Sequence, residues 1–367
     1  MAINLGFITG ARSDYGLARK LLRELSNDPK FKIWIYVTGL HLLKKYGYTI
    51  NEIIEDDYKI KKKIRTYTEK GKDKVYEFST TVNKVYYALK NEGLDAVYIV
   101  GDRIEAYASA LAAHFLGIPI VHYAGGQITK GAVDNIYRYN ISNLAYIHLT
   151  TCRSAFGRLQ NNFPVEKERV YFVGSTAIDA IFEYKKNPQP ISKVSSVLEK
   201  DDFALMTFQP VTKTEESIAE LMDYSIKEIL RQKLKILVTY PNNDTGSEEI
   251  IKIIHRYEKN KNVIVYESLG ATEYYVALDN CAFVIGNSSS GIVEAPYFNK
   301  PVLNIGARQE GRDKDICIRD IEPDTEHVAN AIEDGCKQGW PQCRCKQIYG
   351  DGNAIEEIKR ILITSFA

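Results

Sequence analysis

No sign of charge dominates this chain: 48 Lys and Arg stand against 47 Asp and Glu in 367 residues, a net charge of +1. That balance supplies no global field to attract nucleic acid or an anionic membrane surface, so neither is expected as a partner. The opening, MAINLGFITGARSDYG, lacks the basic start and apolar core of a secretory signal. Long apolar runs are also missing. The most apolar window, residues 106–123, is broken by His114, Gly117 and Pro119 and reads as a helix followed by a strand. A soluble, cytoplasmic protein is expected.

Cysteine is sparse, with six residues at 152, 281, 317, 336, 343 and 345. Cys152 and Cys281 lie in apolar segments and read as small buried hydrophobes. Cys336, Cys343 and Cys345 cluster, but their spacing fits no standard zinc pattern and no histidine is close by. Free thiols are therefore expected, with neither a metal site nor a disulfide framework. Residues 59–74 are basic, including Lys61-Lys62-Lys63 and Arg65. Without an aromatic stacking pattern, that run reads as a solvated face or mobile loop.

What is present is a repeated alternation. Short β-rich runs occur at residues 3–9, 31–38, 95–100, 118–123, 146–150 and 170–173, and again at 203–208, 235–240, 263–266, 282–285 and 301–305. Between them, apolar positions such as Val75, Phe78, Val82, Tyr86 and Leu89 recur at helical spacing. Strand, helix, strand in repetition predicts parallel doubly wound sheets. Residues 184–202, with Pro188, Pro190 and several Lys and Ser, read as a linker. Two Rossmann-like α/β domains are therefore expected, residues 1–183 and 203–350, and residues 354–363 read as an amphipathic helix.

The chemistry-bearing residues stand at strand ends, where open parallel sheets bind ligands. Asp102 and Arg103 follow the strand at 95–100. Asp134 lies shortly beyond the strand at 118–123 and its Gly125-Gly126 pair. Two carboxylates beside a cation suit proton transfer next to an anionic group. Gly10-Ala11-Arg12 forms a glycine turn into a helix, where Arg12 could meet phosphate or the turn could be structural. The full G-x-G-x-x-G spacing is absent, so no nicotinamide or flavin cofactor is expected. Gly286-Asn287-Ser288-Ser289-Ser290-Gly291 opens a helix expected to carry Glu294. Its hydroxyls suit a diphosphate and the carboxylate a ribose, although an N-cap explains the same residues. Arg308 and Arg312 follow the next strand, and turn chemistry accounts for 241–246. His41 ends a strand and is a candidate acid or a satisfied structural histidine, whereas His122, inside a strand, reads as structural.

Taken in order, RSDYG at 12–16, TGLHL at 38–42, GDRIEA at 101–106, HYAGG at 122–126, YPNNDTGS at 240–247, IGNSSSG at 285–291, NIGARQEGR at 304–312 and YGDGNA at 349–354 carry a family likeness. The chain resembles the hydrolysing UDP-N-acetylglucosamine 2-epimerases, including those of sialic and legionaminic acid synthesis. The resemblance implies two facing domains of glycosyltransferase-B type, with residues 351–367 returning to the first. It implies a UDP-sugar substrate, no cofactor or metal, and a homodimer or homotetramer. It assigns Asp102 and Asp134 to catalysis. It assigns Arg12, Asn242, Ser288, Ser289, Glu294 and Arg308 to the nucleotide, and Arg103 and Ser290 flank those positions. Two departures from the family pattern matter most: Ala124 stands where a glutamate or histidine is usual, and Gln209 stands where a histidine precedes Pro210. Neither side chain can move a proton. Gln127 also replaces a usual acid.

The family chemistry removes the C2 proton of a 2-acetamido sugar as the C1–O bond to the diphosphate breaks, and water then adds to the glycal. On this reading Asp102 and Asp134 handle the protons, and His41 replaces a missing donor. A glycosyltransferase, a hydrolase that retains C2, and a non-catalytic nucleotide-sugar-binding protein remain open alternatives.

Overall fold

The computed structural model describes residues 2–44, 47–68, 73–128, 134–188, 193–211, 217–242, 246–344 and 347–367. The chain forms two compact units, one running through Ile128, continuing to Ala180 and including Tyr349–Ala367, the other Ile181–Ile348.

The first unit is built on a seven-stranded sheet: β1 (Ile3–Thr9), β2 (Phe31–Val37), β3 (Ile60–Lys63), β4 (Ala96–Val100), β5 (Ile120–Tyr123), β6 (Ile147–Thr150) and β7 (Val170–Phe172). Its order is β3-β2-β1-β4-β5-β6-β7 and its described pairings are parallel. β4 is buried at every position, as a strand covered by helices on both faces requires. β1 is nearly so.

The second unit carries β8 (Phe203–Thr207), β9 (Lys235–Thr239), β10 (Val263–Tyr266), β11 (Phe283–Gly286), β12 (Val302–Ile305) and β13 (Ile318–Ile321), in the order β10-β9-β8-β11-β12-β13. The two sheets thus share one winding. It reverses between β1 and β4 in the first unit and between β8 and β11 in the second. Such reversals open a crevice beyond the strands' carboxyl ends.

Two strands escape the sequence pattern. Residues 60–63, expected as a solvated face or loop, form β3 at a sheet edge. Lysine suits an edge because it discourages pairing with another chain. Here the lysines are also tied in: Lys62 donates to the Ala88 carbonyl and to Glu92, both at 2.7 Å. Lys61 pairs with Glu92 at 2.9 Å and lies over the Trp34 ring. β13 is hidden because its sequence, IRDI, puts two charged residues in the middle of a four-residue strand at the edge of the second sheet.

Within 184–202, expected as a linker, described residues on both sides of 189–192 make fixed contacts. Tyr184 packs on Tyr275 and Phe298, the amides of Lys193 and Val194 donate to Glu273 at 3.0 and 3.2 Å, and Val194 and Leu198 are buried. The helix Ala354–Phe366 belongs to the first unit, where Ile355, Ile358, Ile361 and Leu362 join its core. Asp179 fixes its start by accepting from the amides of Ala354 and Ile355 at 3.2 and 2.9 Å, as an N-terminal carboxylate does.

Gly286, the last residue of β11, has φ +135°, and a Cβ there would lie 2.0 Å from the Thr207 carbonyl oxygen of β8. No side chain fits. Gly286→Ala is expected to destabilise the protein by about 3 kcal/mol or more, from backbone strain and forced separation of the central strands. Urea unfolding measures that loss, and a variant as stable as the parent would contradict the packing.

Candidate active site

In the first unit, the turns after β1 and β4 flank the reversal point. Asp102 sits in the second of these, and its carboxylate pairs with Arg138. Arg138 arises from the helix Asp134–Leu144 and is nearly buried. Its guanidinium also donates to the Gln127 carbonyl at 2.7 Å and to Asn135 Oδ1 at 3.1 Å. One cation therefore ties the end of β4 to the segment after β5. Asp134 is the first residue of the same helix, one turn before Arg138, and is exposed. Residues four apart share a helix face, so Asp134 stands above the side chain that fixes Asp102.

His122 secures the Asp102 turn from below. Its Nε2 lies 2.8 Å from the Gly101 carbonyl and its Nδ1 3.1 Å from Ser142 Oγ. Burial lowers its pKa to about 4, so the imidazole is neutral and acts structurally.

His41 has the same character. It is fully buried, with Nε2 2.9 Å from Thr9 Oγ1 and Nδ1 2.7 Å from Thr49 Oγ1. Burial lowers its pKa to about 4. Both ring nitrogens are engaged by hydroxyls, which leaves the imidazole as a brace between the ends of β1 and β2, not a donor to substrate.

A group that sequence reasoning passed over lies beside it. Asp14, in the first turn of the helix Arg12–Ser26, accepts from the amides of Gly10 and Ala11 at 3.3 and 3.2 Å. Burial nevertheless raises its pKa to about 7, opposed chiefly by Arg103 and reinforced by Glu105. Glu105 is 2 % exposed, and Arg103 Nε lies 3.4 Å from it. Both acids sit inside the quoted motifs RSDYG and GDRIEA, but nothing in their spacing separates a buried acid from a helix-start acid. Arg12 is half-exposed and pairs with Glu52 at 3.0 Å.

Ala124, the residue after β5, has φ +64°, a conformation that an alanine adopts only under local constraint. Beyond it, a Cβ on Gly125 would meet His122 Nδ1 at 2.8 Å and one on Gly126 the Ala155 carbonyl at 2.6 Å. The glycine pair is thus a packing requirement.

In the second unit, the turns after β8 and β11 are joined by Asn287. Its side chain accepts from the Gln209 amide at 2.6 Å and donates to the Gln209 carbonyl at 2.9 Å. Its own carbonyl receives Arg308 Nη1 at 3.0 Å and Gln309 Nε2 at 2.9 Å. The Gln209 side chain in turn accepts from the amide of Asn242 at 2.8 Å. Gln209, Asn242, Asn287 and Arg308 therefore form one network across the ends of β8, β9, β11 and the turn after β12. Asn287 was legible only as part of a small-residue run.

Ser288 caps the helix Ser289–Val293 through the Ser290 amide at 3.4 Å, and Ser289 is exposed. Ser290 Oγ also bonds the Tyr274 hydroxyl. This helix is only five residues long, so Glu294 follows it at the junction with a 3-10 turn, not one turn inside as the sequence suggested. The residue is half-buried, yet desolvation raises its carboxyl pKa to about 7.

That shift has a definite sign. A carboxyl whose pKa rises on folding stabilises the fold fully below its unfolded value and loses that contribution as pH climbs to about 7. The buried imidazoles of His41 and His122 act oppositely, since their depressed pKa values cost stability as pH falls toward about 4. Comparing variants separates the two effects. Glu294→Gln is expected to gain stability relative to the parent as pH rises from about 4 to about 7, read by thermal unfolding in a pH series. A constant difference across that range would contradict the desolvated carboxyl.

The family model described as UDP-N-acetylglucosamine 2-epimerase matches residues 23–363. A Legionella pneumophila protein, UDP-N,N'-diacetylbacillosamine 2-epimerase (hydrolyzing), is 30% identical over 98% of this chain and 95% of its own. A Campylobacter jejuni protein, GDP/UDP-N,N'-diacetylbacillosamine 2-epimerase (hydrolyzing), is 30% identical over 86% of this chain and 83% of its own. The crystal structure of UDP-GlcNAc 2-epimerase from Neisseria meningitidis bound to UDP-GlcNAc shares the fold, with a TM-score of 0.81, 15% identity, and coverage of 99% of this chain and 100% of that one. Acids beside the first unit's reversal point and the Asn287-centred network at the second unit's stand where open parallel sheets bind ligands. The chain belongs to the UDP-N-acetylglucosamine 2-epimerase family. Among the described residues, no helix is long and apolar enough to cross a membrane.

Proposed function

We propose that this enzyme is a hydrolysing 2-epimerase that converts a UDP-2-acetamido sugar to UDP and the free C2-epimeric sugar. The observation carrying this reading is the Asp102–Arg138 pair at the first unit's reversal point, with Asp134 on the helix that supplies Arg138. The C2 proton passes to one of the two carboxylates while the C1–O bonding pair leaves with the diphosphate. Water then delivers hydroxide to C1 and a proton to C2 on the opposite face. Arg138 fixes Asp102, and His41 braces the strand ends. Arg12 and Arg103 add positive charge beside the reacting sugar.

The second unit is assigned the nucleotide. Arg308, Ser288, Ser289 and Ser290 neutralise and bond the diphosphate, Asn242 flanks it, and Glu294 takes the ribose diol. The names of the Legionella and Campylobacter relatives favour a 2,4-diacetamido-trideoxy sugar over N-acetylglucosamine. UDP release from both sugar nucleotides, followed side by side, tests the assignment, and release from neither would end it. Arg308→Ala is expected to weaken UDP binding by about ten-fold or more, as loss of a charge-assisted contact of ~1.5–3 kcal/mol requires. Isothermal titration reads this, and unchanged affinity would remove Arg308 from the site.

One observation favours a second reading. Ala124 has no ionisable group, and Gln209 is held through its side-chain oxygen by the Asn242 amide and through its backbone by Asn287. With two usual proton carriers replaced, a glycosyltransferase or a hydrolase that keeps the C2 hydrogen is the alternative. A product with unchanged C2 configuration would favour it.

A further inference from the structure

The cysteine arrangement differs from the expectation of free thiols. Cys317 and Cys343 are paired across 26 residues, with their Cα atoms 4.7 Å apart. Sequence spacing concealed this because the fold, not the C-terminal cluster, brings Cys317 in. Cys152 and Cys281 are buried and take no part in a disulfide, and Cys336 is exposed.

The surroundings of that pair hold more than a disulfide uses. Asp315 is 5 % exposed, and its Oδ1 accepts from the amides of Cys317 at 3.3 Å and Arg344 at 3.0 Å. It thereby stitches the two cysteine-bearing segments together. Its other oxygen, Oδ2, is buried with no hydrogen-bond partner among the described residues. A buried carboxylate oxygen left bare is costly, and an S–S bond does nothing to satisfy it. One ligand atom each from Asp315, Cys317 and Cys343 lies within 4.8 Å of the others. The Lys300 carbonyl approaches both sulfurs, at 3.7 and 3.4 Å.

We propose that, when Cys317 and Cys343 are reduced, they and Asp315 bind one zinc ion. Two thiolates and a carboxylate match zinc's usual donors, with Zn–S near ~2.3 Å and Zn–O about 2.0–2.2 Å. Thiolate donors favour zinc over magnesium or calcium. On binding, each thiol releases its proton to solvent. Cys317 and Lys300 precede β13 and β12, so the site lies at the amino ends of those strands, away from the Ser288–Arg308 end. The ion is structural, holding the segment around Cys343 to the sheet, and its presence does not depend on which sugar the enzyme takes.

Metal substitution tests this on the full chain. The protein is reduced with a phosphine, stripped with a chelator, exchanged into metal-free buffer and titrated with cobalt(II) alone. Six alkylatable thiols confirm reduction. The expected result is one cobalt per chain with thiolate-to-metal charge-transfer absorption and tetrahedral ligand-field bands, displaced by zinc. Cys317→Ser and Cys343→Ser abolish the spectrum, Asp315→Asn weakens zinc binding about ten-fold or more, and Cys336→Ser leaves it intact. A reduced parent protein without a tetrahedral thiolate spectrum would overturn the proposal whatever the variants do. So would an unaltered spectrum in Cys317→Ser.

Discussion

Asp102→Asn is expected to lower kcat by about 10²–10⁴-fold, the usual contribution of a positioned acid or base, while UDP affinity stays unchanged. The amide keeps the shape of the side chain and can still accept from Arg138, so the turn after β4 is retained. What is lost is the capacity to carry the C2 proton or direct water. Because the nucleotide-binding groups are assigned to the other unit, the variant separates chemistry from binding. Single-turnover kinetics beside a UDP titration check it. A variant with near-parental kcat would remove Asp102 from proton transfer, and one that loses UDP binding would reassign it to the nucleotide.

Arg138→Leu is expected to reduce stability by roughly 2–4 kcal/mol and to suppress turnover with it. Removing one partner of a buried ion pair leaves the other uncompensated, at about 3–5 kcal/mol when both are fully buried. Asp102 retains a side-chain exposure of 25%, which discounts that figure. The Gln127 carbonyl loses its donor as well. A double-mutant cycle sharpens the expectation: Asp102→Asn combined with Arg138→Leu should cost less stability than the two changes summed, because the stranded charge is gone. Strict additivity would mean that the pair does not couple the end of β4 to the helix Asp134–Leu144.

Both predictions turn on Arg138, a residue that sequence reading did not single out. The strands were legible because buried parallel strands are short apolar runs, and β4 and β8 are buried throughout. The candidate acids were legible because Asp102 directly follows such a run. Arg138 sits in YRYN, in the middle of a mixed helix, where periodicity cannot tell a guanidinium pointing at a strand end from one in solvent. Asn287 was hidden for a related reason, since a small polar residue in a serine run looks like turn chemistry until its three-way bonding is seen. Glu294 and His41 show the converse. Their positions were readable, but the short helix before Glu294 and the two hydroxyls around His41 are tertiary facts. The β3 edge escaped because lysine-rich sequence normally reports solvent, and here it reports an edge.

On the proposed function, Asp102 and Asp134 manage a proton at C2 of a sugar nucleotide while the diphosphate leaves. Turnover in deuterium oxide tests this most directly. With UDP-N-acetylglucosamine or its 2,4-diacetamido-trideoxy relative, the account predicts UDP release matched by one deuterium at C2 of an inverted free sugar. Release of UDP with the original hydrogen still on C2 would contradict it.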